Sequence, residues 1–270
     1  MSIKLVAIDI DGTLINDQHT INPEVKTAIH EARQKGVHIV LCTGRPLPGV
    51  TTKLAELAIN RDNEYVITYN GSLIQNVASG DIVASYGMSL ADYNILELTA
   101  RRLGIHFHAI NHETIFTPNR NISKYTVNEA YLVDMPLEYR TPEEMHEDLN
   151  IIKMMMIDHP HILDEAIKKM PQEITEKYNT VKSSPFYYEL LNKNASKGNA
   201  LKTLAEYLGL KPEETMAIGD NENDNSMLEY AGIGVAVANA VPSTKAAADV
   251  HVASNNDSGV AEALNKYVLI

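Results

Sequence analysis

Short, wholly apolar runs alternate with helix-period segments at both ends of this chain, and that alternation constrains its fold more than any other feature. From the N-terminus, a strand over 5–8, a helix over 23–35, Gly36, a strand over 38–42, a helix over 48–58 and a strand over 65–68 read as βαβαβ. Uninterrupted apolar strands joined through helices belong to parallel sheets buried on both faces, with right-handed crossovers. The C-terminal part repeats the style with a helix over 197–207, a strand over 215–218, a helix over 225–230, a strand over 234–238, a helix over 243–248 and a last strand at Val250. Together the two stretches predict one α/β, doubly wound, mostly parallel Rossmann-like core sheet.

Between them the texture changes. A helix near 91–103, alternating segments such as 106–110, strands near 152–157 and 187–191 and a helix over 161–170 suggest an inserted α+β domain. The predicted division is a core of 1–84 and 193–270 with an insert of 85–192. The turn-forming Asn70-Gly71 and the stretch 192–196 supply residues that a hinge can use. Met154-Met155-Met156 reads as a buried strand of the insert, and Glu143, Glu144, Glu147 and Asp148 as a solvated helix face.

The 270 residues, 44% of them hydrophobic, suffice for one large core or two modest ones. A formal net charge of −12 repels polyanions, so nucleic acid and membrane surfaces are not the expected partners. No export leader or membrane span is recognisable, and Cys42, the one cysteine, permits no internal disulfide; a cytoplasmic location is the default expectation. Composition leaves the oligomeric state open, a homodimer included.

Two carboxylates, Asp9 and Asp11, stand just past the first strand in Asp9-Ile10-Asp11-Gly12-Thr13, and strand periodicity would place both on one side. Ligands of open α/β sheets sit beyond such carboxyl ends. An Asp-Gly hairpin is the plainer reading of the motif, but the segment after Asn22-Pro23 is helical rather than a partner strand. Three further stations fall at strand ends or a helix start: Thr43-Gly44-Arg45, Lys197-Gly198, and Gly219-Asp220-Asn221-Glu222-Asn223-Asp224.

In this order, and with the closing Gly234-Val235-Ala236-Val237-Ala238-Asn239-Ala240 segment, the four stations resemble the haloacid dehalogenase superfamily, and closely its Cof-type phosphatases with a large inserted cap. The resemblance implies a Mg²⁺-dependent phosphatase of small phosphate monoesters, most often sugar phosphates, acting through an aspartyl phosphate. Asp9 would be the nucleophile and Asp11 the acid and base. Asp9, the Asp11 main-chain carbonyl and Asp220 would hold the metal. The amides after Asp9, beginning at Ile10, with Thr43, Gly44, Lys197 and Asn223, would hold the phosphoryl oxygens; Asp224 would orient a metal-bound water or Lys197, with an ordinary carboxylate at a helix N-terminus as its alternative reading.

The chemistry agrees with those roles. A phosphate dianion repels a carboxylate nucleophile, so cations and oriented N–H groups must neutralise it, and a set of carboxylates with few soft donors suits Mg²⁺. Specificity would come from residues around the leaving group, with Arg45, Asn70, Gly71 and Arg120 as candidates and Lys124, Tyr187 and Tyr188 behind them. The 10 histidines include His106 and His108 on one strand face and the His159-His161 pair, but without matching cysteines or acids packing is the better reading than zinc. Two alternatives stay open: a phosphosugar mutase that passes the phosphoryl group to a second hydroxyl, and a noncatalytic sensor of phosphorylated metabolites.

Overall fold

The computed structural model describes residues 2–270. The described residues fold as two compact units, one of residues 2–44, 50–84 and 196–270, the other of 45–49 and 85–195.

The first unit opens with β1 (Leu5–Ile8), α1 (Pro23–Gln34), β2 (His38–Cys42), α2 (Thr51–Glu56), β3 (Tyr65–Thr68), β4 (Leu73–Asn76) and β5 (Ile82–Ser85). The second unit contributes α3 (Leu90–Leu103), β6 (His106–Ile110), β7 (Ile115–Thr117), α4 (Lys124–Leu132), β8 (Leu137–Tyr139), β9 (Lys153–Ile157), α5 (Pro160–Lys168), α6 (Gln172–Lys177), β10 (Tyr178–Ser184) and β11 (Tyr187–Asn192). The chain then completes the first unit with α7 (Lys197–Tyr207), β12 (Thr215–Gly219), α8 (Asn225–Tyr230), β13 (Ile233–Val237), α9 (Pro242–Ala247), β14 (Val250–Val252) and α10 (Gly259–Tyr267).

The first sheet has the order β14-β13-β12-β1-β2-β3-β4-β5, parallel from β14 to β3 and turned antiparallel at β3–β4. β1 is central because the chain builds β2 on one side of it and returns at β12 on the other. That reversal makes the carboxyl ends of β1 and β12 a topological switch point, where ligands of open α/β sheets bind. Leu5, Ala7, Val40, Cys42 and Ile67 on one face pack against Ala200, Leu201 and Leu204 of α7 and Met227 and Leu228 of α8. α1 and α10 pack against each other, with Val25, Ala28, Ile29 and Ala32 of α1 buried at helical spacing.

Asn70 and Gly71 lie inside this unit rather than at its boundary, since the same sheet continues through β4 and β5. The expected helix over 48–58 is a 3-10 turn, Pro48–Val50, followed by the shorter α2.

The second sheet, β10-β11-β9-β6-β7-β8, is antiparallel except for β7–β8. Phe107, Met154, Met156, Tyr188 and Leu190 form a core with Tyr93 and Leu96 of α3, Leu163 of α5 and Ile174 of α6. The methionine run is thus a buried strand, but Lys153 belongs to it: 2% exposed, its Nζ lies 3.8 Å from Glu129 and 3.5 Å from Glu189, both buried. The acidic run 143–148 forms two single 3-10 turns, not one helix face.

α3 starts in a capping box: Ser89 Oγ accepts from the Asp92 amide at 3.2 Å while the Ser89 amide donates to Asp92 Oδ2 at 3.0 Å. Lys177 Nζ and the Tyr178 hydroxyl each donate to Asp92 Oδ1 at 2.7 Å. Burial alone would raise this carboxyl, but the bonds from Lys177, Ser89 and Tyr178 outweigh it and hold the pKa at about 2. A depressed carboxyl contributes stability that is complete above its unfolded pKa and lost as pH falls through the folded one. Asp92→Asn is therefore expected to cost about 1 kcal/mol near neutrality. The deficit in melting temperature should shrink as pH drops from about 4 towards 2. A deficit that does not vary with pH would contradict this.

Candidate active site

β1 ends at Ile8, and the chain turns at once instead of extending. The Leu14 amide lies 3.1 Å from both the Asp9 and Ile10 carbonyls, and the Ile15 amide donates to the Ile10 carbonyl at 3.1 Å. The strand therefore ends before Asp11; Asp9 is buried and Asp11 is exposed. Gly12 makes the turn with φ +84°, and a Cβ there would stand 2.5 Å from Asp220 Oδ2, so both backbone and space require glycine.

Asp9 is fixed through its amide, which donates to the Ile218 carbonyl of β12 at 3.0 Å. Its Oδ1 accepts from Lys197 Nζ at 2.5 Å, and the same ammonium donates to Asp224 Oδ1 at 2.5 Å. Lys197 and Asp224 are fully buried. Two helix starts bring them together. Ser196 caps α7 just before Lys197, accepting from the Asn199 amide at 3.1 Å, and the Gly198 amide donates to Ser226 Oγ in the first turn of α8 at 3.0 Å. The other oxygen of Asp224 accepts from the amides of Asp220 (2.9 Å) and Asn221 (3.1 Å), which shapes the loop after β12. Asp220 in turn accepts from the Thr13 hydroxyl at 3.0 Å.

Oxygens of Asp9, Asp220 and Asp224 lie within 4.8 Å of one another. Burial first, then the charges of Asp224 and Asp220, push Asp9 well above the carboxylate range against the pull of Lys197. Asp220 rises to about 6 through burial and the Asp224 charge. Lys197 is pushed above its usual range, since Asp224 and Asp9 outweigh the cost of its burial. One ammonium faces three carboxylates, so the site is short of positive charge. An all-oxygen donor set in this condition fits a hard divalent cation.

Beside this centre, Asn223 Nδ2 donates to Asn70 Oδ1 at 3.0 Å, the Asn70 amide donates to the Thr43 carbonyl at 2.9 Å, and Asn70 lines the space above Gly44. Thr43 and Asn70 are buried. Gly71 is packed where a Cβ would fall 2.2 Å from the Ser196 carbonyl, at φ +94°. The first unit thus gathers Asp9, Lys197, Asp220, Asp224, Thr43, Gly44, Asn70 and Asn223 around the carboxyl ends of β1, β2, β3 and β12.

The remaining candidates belong to the second unit. Arg45 lies in its 45–49 segment, with Nη1 3.4 Å from the Gly49 carbonyl. Arg120 is exposed and donates to the Tyr139 hydroxyl at 3.2 Å, and Lys124 lies over the Tyr125 ring. Tyr187 and Tyr188 are both buried, the first bonded to the Tyr125 carbonyl at 3.1 Å and the second in the core, so neither side chain is free at the unit's surface. His106 pairs with Asp158 at 2.8 Å, while His108 is fully buried. Sequence reasoning missed Thr13 as a partner of Asp220, although it stands within the first motif.

A sequence profile of the haloacid dehalogenase-like hydrolases matches residues 6–264. A Streptococcus pyogenes protein that carries a provisional phosphatase name is 52% identical over 269 residues, covering 100% of both chains. A Bacillus subtilis protein named 5-amino-6-(5-phospho-D-ribitylamino)uracil phosphatase is 32% identical over 100% of this chain and 97% of its own. The crystal structure of a haloacid dehalogenase-like hydrolase from Bacteroides thetaiotaomicron superposes with a TM-score of 0.85 at 29% identity, over 98% of this chain and 99% of that one. Profile, relatives and fold agree over essentially the whole chain, which belongs to the haloacid dehalogenase-like hydrolases and is a phosphatase of that family.

Proposed function

We propose that this phosphatase is Mg²⁺-dependent, hydrolyses monoesters of sugars and related polyols, and works through an aspartyl phosphate on Asp9. The observation that carries the reading is the buried Asp9 carboxylate, held by Lys197 at the carboxyl end of the central strand. A buried acid this close to a fixed ammonium is aimed rather than solvated, as a nucleophile must be.

In the first half-reaction an Asp9 oxygen bonds to phosphorus while the ester oxygen departs and takes a proton from Asp11. In the second, Asp11 takes a proton from water, whose oxygen bonds to phosphorus as the Asp9–phosphorus bond breaks and inorganic phosphate leaves. An exposed Asp11 suits proton traffic with leaving group and solvent. Thr43, the amides of Ile10 and Gly44, Lys197 and Asn223 hold the phosphoryl oxygens, and Asn70 orients the Asn223 amide. Mg²⁺ would be held by Asp9, Asp220 and the Asp11 carbonyl, and supplies charge neutralisation for the phosphoryl oxygens.

Selection of the leaving group is assigned to residues of the second unit, with Arg45 and Arg120 as the candidates. The polyol-phosphate class is supported by the phosphoribityl compound named for the Bacillus subtilis relative. No helix among the described residues is long and apolar enough to cross a membrane.

Phosphate release from a panel of sugar, polyol and other small esters, with Mg²⁺ and with excess chelator, tests this reading. Release that needs the metal and is lost in Asp9→Asn is expected; near-parental activity in that variant would overturn the nucleophile assignment. Because Asp9→Asn also removes one of three crowded carboxylates, its melting temperature should equal or exceed the parent's. Lys197→Met should do the reverse, since buried carboxylates left without their counter-charge cost about 3 to 5 kcal/mol of folding stability. Denaturant unfolding measures it, and an unchanged midpoint would contradict the account of the pair.

A further inference from the structure

A surface helix ordinarily turns its apolar stripe to the core and its polar face to water, and α4 does the opposite. Its buried side chains are Thr126, with Oγ1 3.4 Å from Nδ1 of His108, and Glu129, which faces Lys153. Its outer side carries Val127, Tyr131 and Leu132, which are 52%, 84% and 60% exposed. Ile122 before the helix and Tyr139 at the end of β8 are exposed as well. Nowhere else among the described residues do as many large apolar side chains stand in water within so short a stretch. Single exposed apolar residues are normal, but a group of them on one element marks a surface that something covers.

The charges on this helix are reversed too. The macrodipole favours an acid at the start of a helix and a base at its end. α4 opens on Lys124, has no acid in its first turn and no base in its last, and is followed two residues past its end by Asp134. Lys124 lies over the Tyr125 ring, and neither it nor Asp134 has an ion-pair partner among the described residues. A cation and an anion are thus left at the unfavourable ends of one short helix.

One neighbour corrects both. Two copies of α4 packed antiparallel about a two-fold axis level with Glu129 set Lys124 against Asp134 of the partner subunit and Val127 against Tyr131 of the partner subunit, because each pair is spaced evenly about Glu129. Opposite ends of the two dipoles then lie side by side, each unpaired charge gains its counter-charge, and the apolar stripe leaves water. A chain of net charge −12 repels its own copy in general, so a face whose charges pair across a two-fold axis is the kind suited to self-association. We propose that the outer face of α4, with Ile122 and Tyr139 at its margin, is an antiparallel interface between two copies of this chain.

Sedimentation velocity of the full chain over a concentration series tests the proposal. A patch of this extent belongs at the small end of specific interfaces, so a monomer–dimer equilibrium with a Kd of about 1 to 100 µM is expected. Tyr131→Glu should abolish association over that range. Lys124→Glu should weaken it about tenfold by setting acid against acid at both ends of the pair. The same substitution puts an acid where a helix start favours one, so the melting temperature should not fall and loss of the dimer cannot be ascribed to loss of fold. Adding Asp134→Lys to it should restore association to within about threefold of the parent. A parent that stays monomeric at about 500 µM would overturn the proposal. So would a dimer indifferent to Tyr131→Glu or to Lys124→Glu, or one that the double reversal fails to restore.

Discussion

Lys197 lies fully buried between two carboxylates that no solvent screens, and the arrangement of both flanking helices follows from keeping it there. An ammonium in such a place is tolerated only while a buried counter-charge is within reach. Ser196 must cap α7 so that Lys197 stands at its first turn, and the Gly198–Ser226 contact must bring α8 close enough to present Asp224. Asp224 then spends its second oxygen on the loop that carries Asp220. A single charge thus sets nucleophile, loop and helix crossing together.

The parts legible in the sequence are those that ride on the ends of buried strands. Asp9, Thr43 and Asp220 each follow a run whose burial is complete or nearly so, so the strand and its last residue are marked by composition alone. Lys197 was legible as the opening of a helix, and the α/β order of the core followed from the alternation of runs. The turn after β1 was not legible, because the hydrogen bonds from Leu14 and Ile15 bend the chain where a pattern of side chains sees only the next residues.

Edges were harder to read. β5, with Ile82 largely exposed, and β10, with its polar Lys182 and Ser183, sit at the ends of their sheets, where the apolar signal of a strand is weakest. α4 is rich in poor helix formers and relies on Ser123, whose hydroxyl accepts from the Tyr125 amide at 3.2 Å. The burial of Lys153 was hidden for another reason: its partners Glu129 and Glu189 lie far away in sequence.

Cys42 ends β2 directly before Thr43, packed in the same apolar layer as Leu5 and Ala7 beneath the nucleophile. It has no exposed surface, and burial pushes its thiol far above the ordinary range, so both access and ionisation are denied while the sheet is closed. Since no other sulfhydryl competes for a modifying reagent, the pace at which this one is labelled clocks how often the floor of the catalytic cleft opens to solvent. The chain therefore carries, without any engineering, a timer for the breathing of the strand on which its phosphate site is built.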